Sequence, residues 1–395
     1  MARTETRVKR SLVLGAAAFA CAAPVVAPAA APIAAPVADA VAAQAPPAGP
    51  APSGAAAVSI AVAGEGRAPI APEVEVEAGA GAAETAASFD AGGFYSVTFE
   101  NDLFGGDDRD YTNGLRLSYT SRRNELPLWG RYVRDRLGWL TRAQDWYVAY
   151  ALGQNIYTPT DIGDPSPPAD ERPYAGFLYL SAALIADRGD RLDTLALDVG
   201  MVGPASLAEQ AQKFVHSVGP FEDPLGWDAQ LGDEPAFRLL YEQKRRAAVS
   251  LDLGLLNLEA DVLPHVSVAV GTVDTSAATG VTVRLGQDLG RDYGPPRIRP
   301  AVSGPAFFSP EAGFGWSLFA SAEARLVGRN LFLEGNTFRD GPRVDAKRLV
   351  GDFSVGASLR FRAAELTYTQ VLRTREYEGQ DDPALFGSLN LSVRF

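Results

Sequence analysis

Gln212 and His216 stand four residues apart in SLAEQAQKFVH, so on a helix they share one face. An imidazole can act as a general base near neutral pH, because its ordinary pKa of about 6.5 lies close to ambient. A base of this kind needs a partner that binds the oxyanion its attack creates. Hard oxygen donors occur in ENDLFGGDDRDYTNGLRLSY, residues 100–119, which carries Asn101, Asp102, Asp107, Asp108 and Asp110. The spacing is not that of an EF-hand, but carboxylates and amides in a glycine-containing loop suit Ca²⁺. Bland readings stand beside both. A histidine at a helix end is commonly just solvated, and an acidic loop is commonly a solvated surface. The only other histidine, His265, follows Pro264 in a strand pattern and reads as a half-buried or turn residue.

The elements that must position these residues are of two kinds. The His216 stretch has helical spacing, with Leu207, Ala211, Phe214 and Val215 on one side. Gly203-Pro204 and Ser206 supply a start and an N-cap, and Gly219-Pro220 a stop. Elsewhere from Phe94 onward the period is two. In GLRLSYTS, Leu115, Leu117 and Tyr119 oppose Arg116, Ser118 and Thr120. Comparable alternation marks twelve strands: 94–101, 114–121, 146–154, 174–186, 194–202, 237–253, 264–273, 279–287, 316–327, 349–361, 364–374 and 388–395.

Segments of about ten residues, apolar on one face and polar or small on the other, are the sequence form of a transmembrane β-barrel. The soluble alternative is a β-sandwich or lipocalin-like barrel. Three features favour the membrane: an export signal, an even strand count, and a final strand ending on Phe395. The expected fold is therefore all-β, a twelve-stranded antiparallel transmembrane barrel with a short helix in an extracellular loop. With both termini on the periplasmic side, the connections 102–112, 155–176 and 203–237 share the outer side, as a surface site requires. Residues 121–145 and 288–314 fit this scheme less well, being long yet periplasmic.

The N-terminus supplies the export signal. Arg3, Arg7, Lys9 and Arg10 precede the short apolar run SLVLGAAAFACAA, which assigns 1–23 as a signal peptide. Residues 24–93 are Ala/Pro-rich with few aromatics and read as a disordered linker. The barrel domain is 94–395. The single cysteine, Cys21, excludes an intrachain disulfide. The net charge is -12; no nucleic-acid partner and a monomeric state are expected.

Together ENDLF (100–104), DRDYTNGLRLSY (108–119), GQNIYTP with ERPYAGFLYL, VGPASLAEQAQKFVH and GWDAQLGDEP resemble the lipid A 3'-O-deacylases of Gram-negative outer membranes, over essentially Phe94–Phe395. The resemblance implies Ca²⁺-dependent hydrolysis of the 3'-linked acyloxyacyl chain of lipid A, the lipid of lipopolysaccharide, at a site on the outer rim facing the cell exterior. It implies His216 as the base. Asn101, Asp102, Thr112, Gln212 and Glu222 would be further site residues. Asp102 would be a metal-side carboxylate, and Glu222 would orient the histidine or the water. One departure stands out. Where the family pattern has a basic pair after the third strand, DIGDPSPPAD has none. Arg109 and Arg172 are the candidates to bind substrate in its place; the alternative for Arg172 is a structural salt bridge at a strand end. Two rival functions remain on sequence: an outer-membrane phospholipase A-type esterase with a serine nucleophile, for which Ser217 is the nearest serine, and a non-catalytic barrel or pore.

Overall fold

The computed structural model describes residues 93–105, 110–218, 222–254, 257–296 and 314–395. The expected signal segment, nearly all of the expected linker, and Arg109 lie outside these. Alternating side chains from Phe94 onward form thirteen strands: β1 (Phe94–Asn101), β2 (Asp110–Thr120), β3 (Asp145–Thr158), β4 (Ala175–Asp187), β5 (Arg191–Val202), β6 (Glu234–Arg245), β7 (Val249–Asp252), β8 (Glu259–Gly271), β9 (Asp274–Gly286), β10 (Phe314–Asn330), β11 (Leu349–Phe361), β12 (Ala364–Arg373) and β13 (Ala384–Arg394). All pairings are antiparallel. β1 pairs with β13, and β6 pairs with β8, so twelve strands close into a barrel. Closure leaves no sheet edge for apolar solvent to strand.

One expectation is corrected. The run 237–253 is not one strand. It stops at Arg245, turns through Ala247 in the left-handed region (φ 41°), and resumes as the four-residue β7, which pairs only with the lower end of β8. The period of two continues across the break, so alternation alone does not reveal it.

The barrel is polar inside and apolar outside. Val266, Val268 and Val270 of β8 are exposed on the outer wall, as are Leu115 and Leu117 of β2 and Leu391 and Val393 of β13. Their alternates point into the lumen and are buried: Ser96, Thr98, Asp198, Arg238, Arg284 and Glu323 among them. His265 is one of these. Its Nε2 lies 3.2 Å from Glu323 Oε2 across Gly280, where a Cβ would stand 2.4 Å from that nitrogen. It is an interior pairing residue, far more buried than the sequence reading expects.

The lumen is filled from both ends. At the rim away from the termini, a one-turn helix, Leu331–Glu334, folds inward after β10. Phe332 stacks on Tyr157 with ring centroids 4.2 Å apart. Around them close Phe177, Tyr179, Val202, Leu231 and Phe386. At the opposite end the connection after β9 turns inward. Asp292 pairs there with Arg284 and, at 2.8 Å, with Arg360, while Tyr293 donates to Asp187. Interior charges are held by partners on neighbouring strands, as Asp198 is by Arg238 at 2.6 Å. This packing opposes the pore reading, since an open channel needs an unfilled lumen.

Two longer helices lie in the connections: α1 (Leu128–Thr141) between β2 and β3, and α2 (Ala208–Val218) between β5 and β6. The loops that follow β1, β3 and β5 leave from one end of the barrel, and Phe94 and Phe395 share the other, as the alternation of strand direction predicts.

Removing one member of an interior pair should be costly, because the other charge stays buried. Asp198→Ala should lower barrel stability by about 3–5 kcal/mol. The check is the urea midpoint at which the heat-shifted band of folded barrel disappears on a cold gel.

Candidate active site

α2 sits on the outside of the barrel wall. Gly176 of β4 faces outward, because Phe177 next to it points into the lumen. A Cβ at Gly176 would stand 2.1 Å from Ser206 Oγ and 2.2 Å from Ala208 Cβ, so only glycine lets the start of α2 approach this closely. Ile156 of β3 pairs with Gly176 in the ladder and is buried beneath Ala208, Tyr174 and Trp227. Gln154 Nε2 donates to Ser206 O at 2.7 Å, tying wall to loop.

The local fold departs from the expected N-cap. Pro204–Ser206 form a separate 3₁₀ turn, Leu207 takes a left-handed conformation (φ 58°), and α2 begins at Ala208. The Ser206 hydroxyl donates to Gly203 O at 2.6 Å instead of capping α2. The expected apolar side is also divided. Ala211 packs toward the wall cluster, whereas Leu207, Phe214 and Val215 are exposed, turned away from it.

Gln212 and His216 are brought together as expected, on the covered face of α2, at 3% and 7% exposure. The Nδ1 of His216 lies 2.5 Å from the main-chain carbonyl of Glu222. A carbonyl can only accept, so Nδ1 carries a proton, and in the neutral ring Nε2 is then the lone-pair nitrogen, the form a general base requires. Glu222 thus orients the ring through its backbone. Its carboxylate is directed elsewhere, toward Gly163, whose added Cβ would meet Oε1 at 2.5 Å.

Gln212 is held by a residue that sequence reasoning did not single out. The indole N–H of Trp227 donates to Gln212 Oε1 at 2.8 Å. That fixes which end of the amide is nitrogen. Gln212 Nε2 is buried and has no hydrogen-bond partner among the described residues. Trp227 is itself locked: 1% exposed, with Tyr174 at 4.9 Å between ring centroids. Tyr174 Oη donates to Ile162 O at 3.1 Å, and Leu225 N donates to the same carbonyl at 2.8 Å, so the 159–174 loop clamps the loop that carries α2. The available signal was a tryptophan inside the polar run GWDAQLGDEP, since a buried indole N–H needs an acceptor.

Asn101 and Asp102 lie on the same wall. The ladder runs Asn101 to Asn113 to Ile156 to Gly176 across β1–β4. Asn101 is thus two strands, roughly 10 Å, from the wall position that α2 covers. It alternates with Glu100 and shares the outward face of Phe99. Asp102, 1% exposed, opens a 3₁₀ turn directly after β1. Thr112 lies in β2, one residue before Asn113, the ladder partner of Asn101. The two oxygen-bearing residues at 101 and 102 suit a hard cation such as Ca²⁺, though among the described residues no three His, Cys, Asp or Glu side chains gather as a metal site. Asp107 and Asp108, with Arg109, lie outside the described residues.

Arg172 is not brought to this group. It is 1% exposed inside the barrel, pairs with Glu376 at 2.8 Å, and its guanidinium carbon lies 5.6 Å and 5.9 Å from the ring centres of Tyr157 and Tyr377. Burial pushes the Glu376 carboxyl up, but Arg373 and Arg172 together hold it below the ordinary range. This is the salt-bridge alternative of the sequence reading. Ser217, the serine nearest the base, turns its hydroxyl back to Phe214 O at 2.8 Å.

The close approach at Gly176 can be tested without assuming any reaction. Gly176→Val should leave the barrel folded and heat-shiftable but lift the start of α2. Trypsin should then cut at Lys213, which lies in α2, at least about tenfold faster than in the parent protein.

The family described as "Outer membrane protein LpxR" matches residues 74–395. Among solved structures, LpxR from Salmonella typhimurium superposes with a TM-score of 0.62 at 20% identity, covering 76% of this chain and all of that one. The β domain of the Bordetella autotransporter BrkA aligns at 14% identity and a TM-score of 0.37, over 77% of this chain and 99% of that one. No curated protein matches. A closed twelve-stranded wall, a helix seated on its outer face, and a family match that spans the whole barrel lead to one assignment: the chain belongs to the LpxR family of outer membrane proteins.

Proposed function

We propose that this protein is an outer-membrane esterase that hydrolyses the 3'-linked acyloxyacyl chain of lipid A, with His216 as general base and the site facing the cell exterior. The observation that carries the reading is the tautomer of His216, set by the Glu222 carbonyl, beside an amide that Trp227 holds with its N–H₂ end unused. The site stands on the outer wall, where a membrane lipid arrives laterally with its acyl chains still in hydrocarbon. A lumen site would require the lipid to leave the bilayer.

In the proposed reaction, Nε2 of His216 takes a proton from water as the oxygen attacks the ester carbonyl. Gln212 Nε2 donates to the oxyanion that forms. Collapse breaks the bond to the sugar oxygen, which takes the proton back from His216. The products are the free acyloxyacyl acid and the 3'-hydroxyl. Asn101 and Asp102 would hold Ca²⁺, which when bound polarises the ester carbonyl. The serine-nucleophile alternative is disfavoured by the Ser217 hydroxyl, which bonds to its own helix backbone.

Purified protein incubated with lipid A in detergent, with Ca²⁺ or with EDTA, should release one acyloxyacyl unit by mass spectrometry only when Ca²⁺ is present. His216→Ala should lower turnover about 10²–10⁴-fold. Cleaved phospholipid beside intact lipid A would replace the reading with the phospholipase one, and cleavage of neither would overturn catalysis. Trp227→Phe removes the indole donor and should lower kcat about 10–100-fold, with KM little changed. The Trp227→Phe/Gln212→Ala double variant should be no slower than Gln212→Ala alone, because both changes remove the same donor.

A further inference from the structure

α1 presents apolar residues on two sides. Its packed side uses Gly130 against Val148, where an added Cβ would stand 3.3 Å from the valine, with Val133 against the cluster of Leu126, Trp146, Val148, Leu184 and Ala186. Trp146 and Val148 alternate with Tyr147 and Ala149, which are packed in the lumen cluster, so α1 lies on the outer wall and not over the barrel mouth. Its other side carries Leu128, Tyr132 and Trp139, at i, i+4 and i+11, and these are 80%, 61% and 73% exposed. Trp129, on the flank between, donates from Nε1 to Tyr150 Oη at 2.9 Å. Tyr150 faces outward two residues further along β3 than Val148, so that flank points along the wall toward the membrane interior.

The opposite flank carries Arg131, Arg134 and Asp135. Residues 121–145 hold six arginines against three acids, in a chain whose net charge is -12. Arg134 engages Asp135 at 2.9 Å and Arg123 engages Asp145 at 3.6 Å. Arg131 and Arg136 have no ion-pair partner among the described residues, and Arg136 lies over the Tyr132 ring at 4.8 Å. Arg191 fixes the helix to the wall by donating to the carbonyls of Leu140 and Thr141 at 3.3 Å and 3.2 Å. Nearby, Tyr95 stacks on Phe395 at 5.0 Å and approaches Tyr119 at 5.3 Å, forming an aromatic belt at the same end of the barrel.

We propose that α1 lies in the membrane–water interface at the end of the barrel carrying Phe94 and Phe395, and that Arg131 and Arg136 there bind the headgroups of anionic phospholipids. An exposed aromatic face is unfavourable in water but suits the headgroup–acyl boundary, and the arginines that border it, Arg131 on one flank and Arg136 on the other, select negative charge. The site is separate from α2 and does not depend on the reaction proposed above.

The full protein, reconstituted in phosphatidylcholine vesicles, would be probed with spin-labelled phosphatidylglycerol and spin-labelled phosphatidylcholine, comparing the motionally restricted fraction of each. The expected result is at least roughly fivefold preference for phosphatidylglycerol, the effect of about one cation near the surface. The Arg131→Gln/Arg136→Gln variant should lose most of it while keeping the heat-shifted band. Equal association of the two lipids, or a preference unchanged in the variant, overturns headgroup binding. In parallel, acyl-brominated lipid should quench the emission of Trp139, taken as the difference between parent and Trp139→Phe. Absence of quenching puts the exposed face in water and overturns the placement. Absence of quenching together with a cross-linked dimer through α1 makes the face a contact between two copies instead, which equally overturns it.

Discussion

A sheet whose first strand pairs with its last has no edge, and the remainder of this protein follows from that closure. In hydrocarbon an unpaired backbone amide has no water to bond to. The β1–β13 and β6–β8 ladders remove that problem once for the whole wall. They also fix what each side chain can be, since every second residue must face lipid and every other one the lumen. Valine and leucine fill the first set. The second set admits arginine, aspartate and glutamate, provided each finds a partner, because a buried single charge is expensive.

The same closure explains where chemistry is found. The lumen is occupied by Phe332 and its aromatic neighbours at one end and by Asp292 and Tyr293 at the other. A lipid entering it would have to displace that packing. The outer wall is accessible to membrane lipids but is smooth and apolar, so a site there needs something added to it. The 203–233 loop supplies it by seating α2 on Gly176 and Ile156. Against that support a polar face is buried, and Gln212 and His216 are held by Trp227 and the Glu222 carbonyl. The helix turns Phe214 and Val215 outward, and Leu207 just before it is exposed as well, as a segment lying beside hydrocarbon should be. At the other end α1 uses the same device on the same strands, packing on Trp146 and Val148 of β3. Each helix is positioned by wall residues whose outward side chains are covered instead of lipid-exposed.

Much of this is determined by the sequence alone. The period of two from Phe94 to Phe395 sets twelve wall strands, because a half-exposed strand must alternate whatever its neighbours are. The spacing of Gln212 and His216 puts them on one helical face, and strand direction puts the three motif-bearing connections at one end. What only tertiary structure decided are matters of partner and side. Alternation continues through the break at Ala247, so the split into β6 and β7 depends on pairing with β8. Arg172 reads equally as a substrate ligand or a structural ion, until Glu376, 204 residues away, takes it into the barrel. Trp227 becomes a positioning residue only when the loop folds back over α2. Glu222 orients the base through a carbonyl that every residue possesses, which no residue type can signal. Local periodicity is a property of the chain's own geometry and can be read along it; the partner of a side chain is a property of contacts that closure alone brings together.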